Sequence, residues 1–107
     1  MNKKNQTLKE TFAEALQNYK KKDFKNAEFF CYKILNIDPN HVESISLLAT
    51  ISALNRNFVK AKELMSKVVE IQPGNVSYLN NLGTAHKELG NLKEAINIYK
   101  KVLEIDS

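Results

Sequence analysis

Residues 81–105, NLGTAHKELGNLKEAINIYKKVLEI, carry two apolar stripes at helical spacing that meet at Gly90-Asn91. Asn91 is a good N-cap residue for the second stripe, so the segment predicts two short helices joined in a hairpin. It contains one histidine, no cysteine and no glycine-rich loop of phosphate-binding spacing. Nothing in this hairpin therefore points to catalysis, and the rest of the chain has to explain its purpose.

The whole chain repeats with a period of 34 residues. Sets of positions that keep their character at this spacing are Ala15, Ala49 and Gly83; Phe24, Phe58 and Leu92; Ala27, Ala61 and Ala95; Cys31, Met65 and Tyr99; and Pro39 and Pro73. A fixed period of this length indicates a stack of similar two-helix units.

Each repeat is predicted to contain two helices. The first helix of repeat 1 is predicted to open at Thr7, because Thr7 and Glu10 have the spacing of a capping box. The second helices are predicted to follow three equivalent N-cap residues, Asp23, Asn57 and Asn91. Proline disfavours helix in the residue before it, so the prolines at positions 39 and 73 are predicted to end two of the second helices.

Small residues lie midway along each first helix and early in each second helix. Their lack of bulk predicts that the two helices of a repeat approach closely. The larger Phe24, Phe58 and Leu92 are then expected to fill the closed end of each hairpin. One such pair cannot bury its apolar face alone, so neighbouring repeats are expected to share a core.

These patterns resemble the tetratricopeptide repeat (TPR) family over about residues 8–107. The motifs that carry the resemblance are Leu82-Gly83, Gly90-Asn91-Leu92, Ala95 and Tyr99 in repeat 3, and Leu48-Ala49, Phe58, Ala61 and Pro73 in repeat 2. The resemblance implies an all-α fold, an α-solenoid of three helix-turn-helix units and six helices. The units would cover about residues 8–41, 42–75 and 76–107 of a single domain, 1–107, and form a right-handed superhelical fragment.

Residues 27–51, AEFFCYKILNIDPNHVESISLLATI, are similar to the repeats fused to O-GlcNAc transferase-type and related bacterial glycosyltransferases. In those repeats an asparagine recurs along the groove and grips peptide backbone. Asn81 fits that position here, whereas Ala13 and Leu47 occupy its equivalents. The family's two-carboxylate clamp needs polar groups where this chain has Leu16 and Leu47, so a full clamp is not expected.

The resemblance also implies that the first helices line a concave groove that binds a peptide or partner protein. The predicted groove residues are Lys9, Phe12, Leu16, Tyr19, Glu43, Leu47, Thr50, Leu54, Ser77, Asn80, Asn81, Thr84, Lys87 and Glu88. For repeat 1 there is an alternative, in which the stripe of Phe12, Ala15, Leu16 and Tyr19 turns inward and packs locally. We favour that alternative, because terminal repeats are commonly atypical.

Composition excludes several other classes of protein. The chain has no apolar run near the roughly 20 residues that span a bilayer, and its start lacks the apolar core of a signal peptide. We therefore expect a cytoplasmic protein without membrane contact. The net charge of +4 is spread along the chain and rests on lysines with a single arginine, Arg56, which argues against a nucleic-acid reader.

The residues capable of chemistry all have structural explanations. Cys31 excludes an internal disulfide and is predicted to be a small core residue. His41 lies at the turn between repeats 1 and 2 and is predicted to be a turn or helix-start residue, while the TPR resemblance implies that His86 packs partly between helices. Neither has a second histidine or a cysteine at ligand spacing, so we expect no catalytic residues, no metal and no cofactor.

The sequence therefore predicts a non-enzymatic protein-interaction scaffold with a protein or peptide partner. Two alternatives stay open. The chain could be the substrate-presenting or regulatory arm of a larger enzyme such as a glycosyltransferase, or it could be a self-assembling structural module. The last helix has no later helix to lie against, so the chain is expected either to continue beyond Ser107 or to form a homo-oligomer through that exposed helix.

Overall fold

The computed structural model describes the backbone of residues 3–106 and the side chains of residues 7–106. These residues form six α-helices and no strand. The helices are α1 (Lys3–Lys20), α2 (Phe24–Ile37), α3 (Val42–Leu54), α4 (Phe58–Ile71), α5 (Val76–Glu88) and α6 (Leu92–Ile105). The predicted all-α fold with two helices in each of three repeats is confirmed.

The helices form two compact units, one extending to Leu48 and one beginning at Ala49. In the N-terminal unit α1 packs against α2. In the C-terminal unit α5 packs against both α4 and α6. Within the described residues, no helix combines the length and the apolar character that crossing a membrane requires.

The start of α1 differs from the prediction. The helix begins at Lys3, so Thr7 lies inside it and the predicted capping box at Thr7 and Glu10 is wrong. The Thr11 hydroxyl donates to the Thr7 carbonyl oxygen at 2.7 Å, a bond between successive helical turns. Thr7 therefore lies in the interior of α1, although threonine favours helix starts, because the helix begins four residues before it.

The predicted N-caps of the second helices are only partly alike. Asp23 and Asn57 each accept a hydrogen bond from the backbone amide three residues later, as predicted. Asn91 occupies the same position before α6, but its side chain makes no cap hydrogen bond. Its Nδ2 instead donates to Nδ1 of His86 at 3.2 Å and so ties the end of α5 to the start of α6.

The first helix of every repeat ends in a Schellman motif, with the residue at C′ in the left-handed region. Those residues, again 34 apart, are Lys22 (φ 64°), Arg56 (φ 61°) and Gly90 (φ 81°). The amide of the next residue then donates to the carbonyl five residues back, as from Asp23 to Asn18 at 2.9 Å. Only repeat 3 has the glycine that this conformation favours, so the lysine and the arginine hold strained backbone.

We expect Lys22→Gly to raise the free energy of unfolding by about 0.5–1 kcal/mol, because glycine relieves the positive φ but loses more chain entropy on folding. Urea denaturation measures the change. The matched control is Lys21→Gly, which removes the same charge at the neighbouring turn position, where φ is not positive. The control should be neutral or destabilising, and equal effects of the two variants would contradict the explanation by strain.

Small residues permit close helix packing as predicted. The alanines at positions 15, 27, 49, 61 and 95 are all buried. At Gly83 a Cβ atom would lie 2.7 Å from Cε1 of Tyr99, well inside contact distance. At these two equivalent positions repeat 3 therefore has a glycine on α5 and a tyrosine on α6, whereas repeat 2 has Ala49 and Met65.

The large residues at the start of the second helices behave differently from one another. Phe24 is partly buried and lies 5.7 Å from the Tyr19 ring. Phe58 is also partly buried, with the Arg56 guanidinium 5.4 Å from its ring centroid. Leu92 is 59% exposed, so the prediction that it fills the closed end of its hairpin is wrong. Two of the second helices end where predicted, because α2 and α4 stop two residues before the prolines at positions 39 and 73.

Candidate functional site

A small pocket of about 120 Å³ lies on the C-terminal unit, between α3, α4 and α5. The residues that line it are Ala49, Thr50, Ala53, Phe58, Ala61, Met65, Asn81, Thr84 and Ala85. The alanines make the gap, since each contributes only a methyl group where the helices face one another. The volume is large enough for one aliphatic side chain and too small for a drug-sized ligand.

The base of the pocket is apolar, whereas its rim carries the side chains of Thr50, Asn81 and Thr84. The Thr84 hydroxyl is engaged, since it donates to the Asn80 carbonyl oxygen at 2.9 Å and lies 3.2 Å from the Tyr99 hydroxyl. Asn81 is exposed, and its amide makes no hydrogen bond within the part of the chain that the structure describes. An amide with a free donor and a free acceptor beside an apolar hole can bind a peptide group while a neighbouring side chain fills the hole.

A second, wider cavity of about 300 Å³ lies on the N-terminal unit. Its lining comprises Leu8, Lys9, Phe12, Asp38, His41 and Glu43. The Phe12 and His41 rings meet edge to face, with centroids 5.5 Å apart. Phe12 is partly buried, and local packing of the repeat 1 stripe stays a prediction.

His41 starts α3, as predicted. It stands directly before the helix, and its Nδ1 accepts the Ser44 amide at 3.3 Å, the geometry of an N-cap. Nδ1 also lies 2.8 Å from the buried Ser44 hydroxyl, and Nε2 lies 3.4 Å from the Glu43 carboxylate. The imidazole is therefore occupied by the helix start.

The predicted groove residues fall into four groups. The N-terminal cavity brings together Lys9, Phe12 and Glu43, and the C-terminal pocket brings together Thr50, Asn81 and Thr84. Leu47 is buried, with 8% of its side chain exposed, while Leu16 and Tyr19 are partly buried. Exposed residues that line neither cavity are Leu54, Ser77, Asn80, Lys87 and Glu88. Their binding of a partner stays a prediction.

Sequence reasoning missed the apolar part of the pocket. Phe58, Ala61 and Met65 fall on a continuous apolar stripe, which predicts core packing and gives no sign of a gap. Ala53 and Ala85 do not fall on the 34-residue pattern of small residues at all. The pocket arises where small residues from three helices coincide, and no single periodicity reveals such a coincidence.

Cys31 is buried, as predicted for a core residue. Burial, with a smaller contribution from the Glu28 carboxylate, raises the pKa of the Cys31 thiol from 9.0 to about 12. The thiol is therefore protonated and unreactive at neutral pH. Among the described residues, no three or more histidine, cysteine, aspartate or glutamate side chains are grouped to hold a metal ion.

Residues 20–102 match the TPR-like family described as anaphase-promoting complex, cyclosome, subunit 3. The chain belongs to this family of TPR proteins. The resemblance read from the 34-residue period is thereby confirmed. No curated protein sequence matches the chain at a significant level.

Solved structures of other proteins share the fold of this chain. The TPR chain is similar to an O-GlcNAc transferase mutant from Thermobaculum terrenum, with 26% identity and a TM-score of 0.88 over 98% of this chain and 20% of that one. The first TPR of Spaghetti (RPAP3), bound to the HSP90 peptide SRMEEVD, has 20% identity and a TM-score of 0.85 over 94% and 79% of the two chains. The N-terminal domain of stress-induced protein-1 from C. elegans has 18% identity and a TM-score of 0.80 over the full length of both. This chain spans about a fifth of the transferase.

Proposed function

We propose that this TPR chain is a non-enzymatic protein-interaction module, and that its C-terminal unit binds an extended peptide whose aliphatic side chain enters the pocket beside Asn81. The observation that carries the proposal is the unpaired Asn81 amide at the rim of an apolar pocket of about 120 Å³. The amide supplies two hydrogen bonds to backbone, and the pocket supplies apolar burial. The proposed chemistry is recognition, since the polar groups of the pocket are one amide and two threonine hydroxyls, with no histidine, cysteine or carboxylate in its lining.

The lining of the pocket also determines which peptide side chain can enter it. Its apolar lining consists of the Phe58 ring, the Met65 thioether and alanine methyl groups, so a charged group would be desolvated there without a partner. Leucine, isoleucine and methionine side chains fit the volume, whereas a tryptophan ring does not. The Spaghetti structure supports a peptide as the ligand class, since that TPR is bound to a heptapeptide.

Peptide selection followed by titration tests the proposal. A random heptapeptide library displayed on phage is selected on the chain, and the selected sequences are titrated by fluorescence polarisation. We expect the selected sequences to share an aliphatic position. Replacing that residue by alanine should weaken binding about tenfold or more, since burying such a side chain is worth about 1.5–3 kcal/mol.

Two variants separate the amide from the pocket. Asn81→Ala should weaken binding about fivefold to thirtyfold by removing hydrogen bonds, and Ala53→Leu should block binding by filling the pocket from its partly exposed rim. Asn55→Ala is the matched control, an exposed asparagine outside the pocket. Circular dichroism should show the same melting temperature for Asn81→Ala and the control. Unaltered binding by both Asn81→Ala and Ala53→Leu would place the site elsewhere.

The similarity to the transferase favours a second candidate function. A 26% identical match over 98% of this chain makes it a candidate for the substrate-presenting or regulatory arm of a longer enzyme. The interaction module and the enzyme arm differ in which domain the gene encodes next to the repeats. A reading frame that joins them to a glycosyltransferase domain would favour the arm, whereas a frame that encodes only repeats would favour the free cytoplasmic adaptor.

A further inference from the structure

The outer side of α6 carries an apolar stripe that the described part of the chain leaves largely uncovered. Leu92, Ile96 and Leu103 are 59%, 53% and 66% exposed, and Tyr99 beside them is partly buried. Their spacing of four, three and four residues places all four on one helix face. Ala95, the only fully buried residue of α6, lies on the side that faces α5. Leu92, Ile96 and Leu103 therefore lie beside the face that holds α6 in the fold, and Tyr99 borders that face through its contacts with α5.

The charged residues beside the stripe are arranged so that α6 is complementary to a reversed copy of itself. Lys93 and Glu104 are exposed and lie on the same flank, because eleven residues make almost exactly three turns and rise about 16 Å. Neither side chain has an ion-pair partner among the described residues. One end of the flank is thus positive and the other negative, and a helix of this kind is complementary to its own reversed copy.

We propose that α6 is a self-association surface on which a second copy of this chain docks antiparallel, related by a two-fold axis. The axis passes near the middle of the stripe, so Leu92 and Ile96 of one copy meet Leu103 and Tyr99 of the other. A two-fold interface uses the same patch on both copies, as the symmetric spacing of the stripe permits. Leu92, Ile96 and Leu103 do not line the peptide pocket between α3, α4 and α5, and Tyr99 touches only its Thr84.

The antiparallel direction follows from the flank charges. In antiparallel pairing, Lys93 of each copy lies within side-chain reach of Glu104 of the other, which gives two ion pairs per dimer. In a parallel two-fold pair the same flank of the two copies lies on opposite sides of the interface, so Lys93 would not meet Glu104 of the other copy. Lys100, near the middle of the same flank, approaches its own copy in the antiparallel dimer. The association is therefore weak, and Lys100→Gln should strengthen it.

Sedimentation equilibrium from micromolar to millimolar concentration tests the proposal on the chain as it stands. We expect a monomer-dimer equilibrium that Leu103→Lys abolishes. The matched control is Val59→Lys, on α4, which places the same charge at a residue that is also about half exposed and should leave the equilibrium unchanged. Far-UV circular dichroism checks that both variants remain folded.

Charge reversal then tests whether the two α6 helices pair antiparallel. Lys93→Glu and Glu104→Lys should each raise the dissociation constant about fivefold to tenfold, and the double variant should return it to the original value. A chain that stays monomeric at millimolar concentration would overturn the proposal. A dimer that resists Leu103→Lys, or one in which the double charge reversal fails to restore affinity, would overturn it as well. Dimerisation should persist in Asn81→Ala, so failure of the peptide-binding proposal would be recognised separately.

Discussion

The Cys31 thiol is expected to react with iodoacetamide about a thousandfold more slowly in the folded chain than in the urea-unfolded chain at about pH 8. Burial raises the pKa of Cys31 from 9.0 to about 12. The thiolate is the nucleophile, so its fraction at this pH falls about a thousandfold between the unfolded and the folded chain. Steric exclusion of the reagent from the buried side chain adds to the protection.

The control for Cys31 is an exposed thiol on the same helix. In a Cys31→Ser background, Lys33→Cys places a cysteine at an exposed position of α2, where labelling should approach the unfolded rate. Mass spectrometry follows both reactions. Fast labelling of native Cys31 would show that the N-terminal unit opens frequently enough to expose α2.

The same pKa shift makes the chain less stable in alkali. The thiol stays protonated in the folded chain up to about pH 12, while the unfolded chain releases its proton above about pH 9. Between these values the unfolded state binds fewer protons, so the free energy of unfolding falls as the pH rises. Cys31→Ala should flatten this part of the stability curve, which urea denaturation at a series of alkaline pH values measures.

Gly83→Ala is expected to destabilise the chain by up to about 2 kcal/mol, although alanine is the better helix former. Replacing a glycine inside a helix ordinarily gains about 1 kcal/mol. Here the new methyl group would lie 2.7 Å from Cε1 and 3.0 Å from Cζ of Tyr99, and overpacking of this kind costs about 1–3 kcal/mol. Relief by rotation of the ring would break its contact with the Thr84 hydroxyl.

A double-mutant cycle isolates that contact. Tyr99→Met combined with Gly83→Ala gives repeat 3 the Ala49 and Met65 pair that repeat 2 already has. The double variant should be more stable than the sum of the single changes by about 2 kcal/mol, because the clash disappears while the helix propensity of alanine is kept.

Gly74→Ala is the control for the glycine effect, since a Cβ there has no neighbour within 4 Å and φ is not positive. It should be neutral or slightly stabilising in the same urea denaturation experiment. A Gly83→Ala variant that is as stable as the parent would mean that Tyr99 moves freely and does not set the spacing between α5 and α6.

Most of the secondary structure was predictable because its signals are local. Asp23 and Asn57 cap the helices that follow them through amides three residues away, and the prolines act on their immediate neighbours. The 34-residue period extended these local signals along the chain and indicated which helices form pairs. His41 could be recognised as a helix start for the same reason, from the turn that precedes it.

Tertiary structure decided how much of each side chain is covered, because burial depends on what stands opposite. Phe24 and Leu92 occupy equivalent sequence positions, yet Phe24 has the Tyr19 ring beside it and Leu92 is largely exposed. The pocket at Asn81 exists only where small residues of three helices meet. The 34-residue period by itself determined that the chain is a stack of two-helix units, and the motifs within the repeats carried the resemblance to the TPR family, to which the chain belongs. Which surfaces its helices leave open was decided by packing, since a gap or an uncovered face belongs to several helices together and to no single stretch of sequence.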